Sequence, residues 1–99
     1  MQVKFSTAAE DELDEATLYY EQAMPGLGEQ FRAEVARSAR QLGQMPLLWA
    51  EVWPPVRRCL LSRFPYALLY AVEADYVFVI AVAHQHRKPG YWHNRIAKQ

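Results

Sequence analysis

Side chains that could bind or cleave a phosphodiester are concentrated in the second half of the chain. The reference pKa of histidine is near 6.5, so histidines such as His84 and His86 could exchange protons at cellular pH. Cleavage of RNA without a metal needs such an acid and base, cations for the phosphorane charge and a stacking surface for the base. The candidate cations are Arg57, Arg58, Arg63 and Arg87, and the candidate stacking residues are Tyr91 and Trp92.

The charges of the chain are divided unevenly along its length. Residues 1–51 contain four Lys or Arg and nine Asp or Glu, whereas residues 52–99 contain seven and two. The halves therefore carry −5 and +5 and cancel in the net charge of zero. This asymmetry favours a basic face beside an acidic one, although mutual attraction of the halves within the fold explains it nearly as well.

The composition predicts one domain over residues 1–99 that needs neither disulfide nor metal. About half of the residues are apolar, which suffices for one packed core. Cys59, the single cysteine, cannot form an internal disulfide and is predicted to be a buried, inert thiol. The Cys and His residues lack zinc spacing, so we expect no metal and no cofactor.

The first half has the pattern of a strand followed by a helical hairpin. Val3 and Phe5 alternate with polar residues, as in a short strand. Thr7 and Glu10 have the form of a capping box for a helix over Ala8–Ala23, whose acidic start, Asp11 to Glu15, is expected to be solvated. A second helix follows the Pro25-Gly26 break and is expected to pack antiparallel to the first. The inward stripes are Leu13, Ala16, Tyr20 and Met24 in the first helix and Leu27, Phe31, Val35, Ser38 and Leu42 in the second. On the solvent-exposed face of the second helix, Glu29 with Arg32 and Glu34 with Arg37 have the i,i+3 spacing that allows ion pairs.

The second half has the pattern of an antiparallel meander. Strands are predicted over Val56–Arg63, Tyr66–Val72 and Tyr76–Ala83, after an irregular linker between Gly43 and Pro55. The run from Val77 to Ala83 is apolar throughout, as in a strand covered on both faces. The fold class is therefore α+β, with an N-terminal strand, a helical hairpin, a three-stranded meander in one sheet and a short C-terminal basic-aromatic segment.

This order of elements, together with several local motifs, resembles the RelE/ParE superfamily of type II toxin–antitoxin toxins. The resemblance covers essentially the whole chain. In detail, the chain resembles the ParE-like, or plasmid-stabilisation, branch. The motifs that carry it are Arg57-Arg58 before the second strand, Phe64-Pro65-Tyr66 with Tyr70, and His84-x-x-Arg87-x-Pro89-x-Tyr91-Trp92.

The resemblance implies a small growth-inhibiting bacterial toxin that a cognate antitoxin silences by wrapping an amphipathic segment around it. ParE-type members poison DNA gyrase without hydrolysis, whereas RelE-type members cleave mRNA in the ribosome. Where RelE-like nucleases carry two arginines, this chain has Ala67 and, in the simplest alignment, Gln85. Loss of two phosphate-stabilising cations weakens transition-state stabilisation, so ribosome-dependent RNA cleavage is the alternative. DNA gyrase is the preferred target, which the resemblance to the ParE-like branch alone implies. A third alternative is a degenerate, non-toxic member that only binds antitoxin.

Both target hypotheses name particular residues. If the chain is a ribonuclease, the catalytic candidates are His84, His86, Arg87 and Tyr91, the last matching a nuclease tyrosine. If it binds a macromolecule, the candidate contacts are Arg57, Arg63, Arg87, Tyr91 and Trp92.

Each of these residues also has a structural interpretation. The histidines could instead cap the sheet edge, and the C-terminal residues could form a solvated tail. Strand alternation places Arg57 on the face of Arg63, while Arg58 is expected to pair with the acidic first helix.

The location of the protein and its main partner follow from the same pattern. The chain starts without the pattern of a secretion signal, and the apolar run is far shorter than the roughly 20 residues that cross a bilayer. We therefore expect a cytoplasmic protein without a membrane partner. An apolar groove between the hairpin and the sheet edge is expected to bind the antitoxin, giving a hetero-oligomer.

Overall fold

The computed structural model describes residues 1–96 and has an α+β architecture in which one sheet separates two apolar cores. None of the helices described is long and apolar enough to span a membrane. The strands are β1 (Gln2–Phe5), β2 (Glu51–Trp53), β3 (Val56–Leu60), β4 (Tyr66–Val72) and β5 (Tyr76–His84), and the helices are α1 (Thr7–Ala23), α2 (Leu27–Gln44) and α3 (His93–Ile96).

The sheet has the strand order β1-β5-β4-β3-β2. Short turns make β2 to β5 antiparallel neighbours, whereas β1 pairs parallel with β5, Val3 lying opposite Val77. β5 is thus flanked on both sides, and its residues Val77 and Val79 to Ala83 are buried. This confirms the prediction of a strand covered on both faces.

The helical hairpin forms the first layer and shows why its helices start and stop where they do. Ser6, not the predicted Thr7, caps α1 by accepting a hydrogen bond from the Ala9 amide at 3.0 Å. Glu21 reaches across the break and accepts from the amides of Gly26 and Gly28 at 2.9 and 3.0 Å. These bonds stabilise the N-terminus of α2, where Gly26 adopts a left-handed conformation.

The apolar stripe of α2 packs on the sheet as predicted. Phe31, Val35, Ser38 and Leu42 are buried, and Phe31 joins a cluster of aromatic rings with centroids 4.9 to 6.1 Å apart. The other rings of that cluster belong to Tyr20, Phe64 and Tyr66. The stripe of α1 ends at Tyr20, because the chain becomes extended at Met24 and leaves that side chain exposed, contrary to prediction.

The C-terminal segment, defined as residues 85–96, covers the second face of the sheet. Trp92 is buried there against side chains of three strands, and Tyr91 and Ile96 pack beside it. The register of β5 against β4 skips Ile80, so this bulge brings Ile80 and Ala81 into the same core. Its strand residues are Val56, Leu69, Ile80, Ala81 and Ala83.

The linker between Gly43 and Pro55 contains a strand that the sequence pattern did not predict. Glu51–Trp53 forms β2, which pairs with β3 and lies at the edge of the sheet. Trp49 packs against the helix-side core, whereas Trp53 is partly exposed on the second face. The meander therefore has four strands instead of three.

Candidate functional site

A groove of about 600 Å³ lies on the second face of the sheet, opposite the helices. Two facing alanines, Ala67 and Ala83, lie beneath it, and β2 and the C-terminal segment form its walls. The strand residues that line it are Val52, Trp53, Arg58, Leu60, Ala67, Leu69, Ala83 and His84, and the segment contributes Gln85, Arg87, Lys88, Pro89, Gly90, Tyr91, Trp92 and His93.

The groove is positively charged. Its lining includes the cations Arg58, Arg87 and Lys88 and the imidazole of His93, and no carboxylate among the described residues. A cleft lined by one sign of charge concentrates ligands of the opposite sign. The groove can therefore attract an acidic or phosphorylated partner.

Arg58 was expected to pair with the acidic first helix, and this prediction is wrong. Successive strand residues point to opposite faces, and the helices lie on the face of Arg57 and its register partner Tyr70. Arg58 is exposed in the groove and forms no ion pair within residues 1–96.

Arg57 and Arg63 lie outside the groove, although both were predicted to contact a target. Arg57 donates to the backbone oxygen of Trp49 at 2.6 Å and lies 3.9 Å from the Glu51 carboxylate. Arg63 is 61% exposed and donates through Nε to Glu34 at 3.3 Å. Both arginines thus make intramolecular contacts on the helix side, and the prediction that they bind a target stays untested.

Glu34 was predicted to lie on the solvent-exposed face of α2 and to pair with Arg37, and this prediction is wrong. Its side chain is only 4% exposed and accepts from the amides of Ser62 and Arg63 at 2.6 and 3.0 Å, with no ion pair to Arg37 among the residues described. Burial by itself would raise the pKa of Glu34, but these hydrogen bonds outweigh it and lower the pKa. A charged carboxylate therefore fixes the turn between β3 and β4.

His84 is the last residue of β5 and lines a second, smaller cleft of about 250 Å³ against α1, whereas His86 follows in the turn and does not line it. His84 packs edge-on against Tyr66, and its Nδ1 accepts from the His86 amide at 3.0 Å. The neutral ring therefore carries its proton on Nε2. Arg87 also lines this cleft, but so do the carboxylates of Glu12 and Glu15, which disfavour a phosphate there.

Tyr91 and Trp92 have partners within the protein. The Tyr91 hydroxyl donates to Glu12 Oε2 at 2.7 Å, and the Arg87 guanidinium lies 3.9 Å from the centre of its ring. Burial and the Glu12 hydrogen bond raise the pKa of Tyr91, so its hydroxyl stays protonated. Trp92 is buried, with its ring 5.5 Å from that of Trp53. A stacking partner would meet Trp53 before Trp92.

Glu12 is the residue that the sequence interpretation missed. It was assigned to a solvated helix start, yet its carboxylate accepts from the Val82 amide at 3.0 Å, from Tyr91 and from both terminal nitrogens of Arg95 at 3.0 Å. Its position three residues after the buried Ala9 and four before Ala16 is the signal that places it on the inward face of α1. Glu12 thus joins α1, β5 and the C-terminal segment, and this contact is called the Glu12 clasp below.

The groove expected between the hairpin and the sheet edge is present along β1 and α2. It consists of two adjoining hollows of about 580 and 560 Å³ that share Ala39. Apolar side chains dominate, and the charged residues among those that line it are Arg32 and Arg40. The lining residues are Met1, Val3, Phe5, Leu13, Arg32, Ala33, Val35, Ala36, Ala39, Arg40, Gly43 and Gln44. We call it the β1–α2 groove.

Comparison with known proteins identifies the family. A family model for the ParE toxin of the type II toxin–antitoxin system parDE matches residues 3–89. The chain belongs to the ParE toxin family. This confirms the resemblance to the RelE/ParE superfamily. The match ends in the turn after β5, so Tyr91, Trp92 and Arg95 lie beyond it.

A solved structure shares the fold of this ParE-family chain. The chromosomal ParDE TA system from P. aeruginosa matches with a TM-score of 0.76 and 19% sequence identity, over 85% of this chain and 95% of that chain. At this identity the likeness establishes the architecture alone. No curated protein sequence matches the chain.

Proposed function

We propose that this protein is a ParE-like toxin that stops growth by binding DNA gyrase, without hydrolysis, and that a cognate antitoxin neutralises it. Membership of the ParE family supports the assignment of this protein as a toxin. The target assignment rests on the similarity to the ParE-like branch. The observation that supports it is that Ala67 and Gln85, which the resemblance places where RelE-like nucleases have arginine, both line the groove. Gyrase acts on DNA in the cytoplasm, so the proposal places the protein there.

The geometry around His84 also weakens the ribonuclease alternative. Arg87 lies near His84 in the smaller cleft, but Glu12 and Glu15 line the same cleft. Carboxylates beside a bound phosphate repel the negative charge that grows in the transition state. The smaller cleft is therefore an unfavourable phosphate site, so a nuclease would have to use His84, Arg87 and Tyr91 from the main groove.

The β1–α2 groove is the proposed binding site of the antitoxin. Alanines in its wall allow close approach of a helix, Arg40 favours an acidic residue on that helix, and β1 offers the free edge of an outer strand. The antitoxin is thus expected to supply an amphipathic helix and a strand. The complex would be a hetero-oligomer.

The target is tested by DNA supercoiling with purified gyrase, with linear cleaved DNA scored on the same gel. Inhibition or trapped cleavage complexes that the antitoxin reverses would support the proposal. If the protein inhibits supercoiling but the antitoxin does not reverse the inhibition, the proposal that this antitoxin neutralises the toxin is contradicted. If the folded protein stops growth but leaves gyrase untouched, the gyrase proposal fails, and mRNA cleavage by the wild type and His84→Ala should be compared on translating ribosomes.

The antitoxin site is tested by Ala36→Glu, which adds a charge to the exposed wall of the β1–α2 groove. We expect about tenfold weaker antitoxin binding with toxicity retained, because the groove lies on the other side of the sheet from the proposed target surface. Ala74→Glu, in the exposed turn between β4 and β5, is the matched control. Equal antitoxin affinity of the two variants would place the antitoxin elsewhere.

A further inference from the structure

The floor of the groove on the second face is formed by small side chains. Ala67 and Ala83 are register partners on β4 and β5, and Leu60 is the partner of Ala67 on β3. Both alanines are buried, whereas Leu60 is 55% exposed and rises beside them. Two methyl groups between longer side chains leave room for one bulky side chain from outside.

The rim of this depression carries both apolar and cationic side chains. Val52 and Trp53 of β2 stay exposed, Trp53 to 38%, and the Trp53 ring stacks on His93 with centroids 3.9 Å apart. Arg58 and Lys88 add positive charge. Exposed large apolar residues grouped at one concave site mark a binding surface, and aromatic anchors dominate such contacts.

The composition of the floor decides which groups it can bind. The side chains of Ala67 and Ala83 cannot form hydrogen bonds, and the hydrogen-bonding groups of the lining belong to residues outside this floor. Such a floor matches an apolar side chain better than a nucleotide.

We propose that this groove binds an acidic segment of a protein and takes one bulky apolar side chain of that segment over Ala67 and Ala83. Charge complementarity with Arg58, Arg87 and Lys88 attracts the segment, and the alanine floor selects the anchor. The inference deepens the proposed function, since it states which chemistry on the target the toxin recognises. Trp53, Arg58 and Leu60 thereby join the binding surface.

Nuclear magnetic resonance of the labelled full chain tests the groove without gyrase. The probe is a short blocked peptide of glutamates with one central tryptophan. The comparison probes are the same peptide with a central alanine, the same peptide with lysines in place of glutamates, and a short oligothymidylate. We expect the amide signals of Ala67 and Ala83 to shift and the tryptophan peptide to bind about tenfold more tightly than the alanine peptide.

Two variants locate the binding. Ala67→Leu fills the depression and should weaken the tryptophan peptide about tenfold, whereas Ala74→Leu in the distant exposed turn should bind like the wild type. Arg58→Glu reverses an exposed charge and should weaken binding by a similar factor. If Ala67→Leu gives the spectrum of an unfolded chain, Arg58→Glu decides alone.

Several outcomes would overturn the inference. They are equal affinity for the tryptophan and alanine peptides, unchanged affinity in Ala67→Leu or Arg58→Glu, absence of shifts at the alanine floor, or tighter binding of the oligothymidylate at the same amides. Gyrase assays on the same variants keep the two proposals apart. Gyrase inhibition that survives Ala67→Leu contradicts the groove but not the toxin, whereas peptide binding without gyrase inhibition contradicts the gyrase target but not the groove.

Discussion

The Glu12 clasp gives the most informative mutation for the C-terminal segment. Glu12→Ala removes the acceptor for the Val82 amide, the Tyr91 hydroxyl and the Arg95 guanidinium. Within residues 1–96, the hydrogen bond that Arg95 keeps is the one to the Ile80 carbonyl at 2.8 Å. The segment then depends on apolar packing of Trp92 and its neighbours against the sheet.

The magnitude follows from the burial of the pair. Removing one partner of a fully buried ion pair costs about 3–5 kcal/mol. The Glu12 side chain is 12% exposed and that of Arg95 is 24% exposed, so solvent reduces the loss to about 3 kcal/mol. Because these contacts hold the C-terminal segment against α1 and β5, most of the loss should appear as easier local opening of that segment.

Hydrogen exchange of single amides measures this opening. The amides of His93 and Arg95 donate to the carbonyls of Gly90 and Trp92 at 2.9 Å and exchange when the segment detaches. A cost of about 3 kcal/mol predicts exchange about 100-fold faster at these amides in Glu12→Ala. Asp11→Ala, an exposed acid on the same helix turn, is the control for simple loss of charge.

Two results would refute this reasoning. Unchanged exchange at His93 and Arg95 would show that apolar packing alone holds the segment. Equal acceleration in Asp11→Ala would show that the effect comes from the charge of the α1 N-terminus and not from the clasp.

Three further predictions concern buried polar groups. Because hydrogen bonds lower the pKa of Glu34, its stabilising contribution relative to Glu34→Gln should be present above the unfolded carboxyl pKa of about 4.3 and disappear as the pH falls through the lower folded value. Urea unfolding at neutral pH and at about pH 3 measures this, and an equal difference at both pH values would contradict it. Burial raises the pKa of Cys59 to about 11, so thiol reagents should label it only as fast as the chain unfolds; rapid labelling of folded protein would refute its inert assignment. Tyr70→Phe, which removes the hydroxyl that donates to the Pro46 carbonyl at 2.7 Å, should reduce the free energy of unfolding by about 1 kcal/mol in the same urea assay, and no change would show that water replaces the donor.

The elements that follow a periodic apolar pattern could be predicted from the sequence. The α2 stripe through Phe31 and Leu42 and the apolar run of β5 each have one dominant signal that the packed structure keeps. β2 escaped prediction because three exposed residues next to two prolines carry no periodicity. Its pairing with β3 exists only once the meander has formed.

The polar contacts of the site were beyond the reach of sequence spacing. Glu34 was assigned an i,i+3 partner on its own helix, but its partners lie 28 and 29 residues away. The partners of Glu12 on the C-terminal segment are 79 and 83 residues away. Such contacts depend on how the layers assemble, which local pattern does not contain.

The central position of β5 has a consequence for the order in which this protein can become active. β5 is the last strand of the sheet along the chain, yet it lies between β1 and β4 and contributes buried side chains to both apolar cores. A chain on the ribosome therefore has β1 without a neighbour and the groove without Ala83 until Tyr76–His84 has emerged. A chain whose synthesis stops before β5 lacks the strand that contributes to both cores, so the folded domain forms only when its translation is nearly complete.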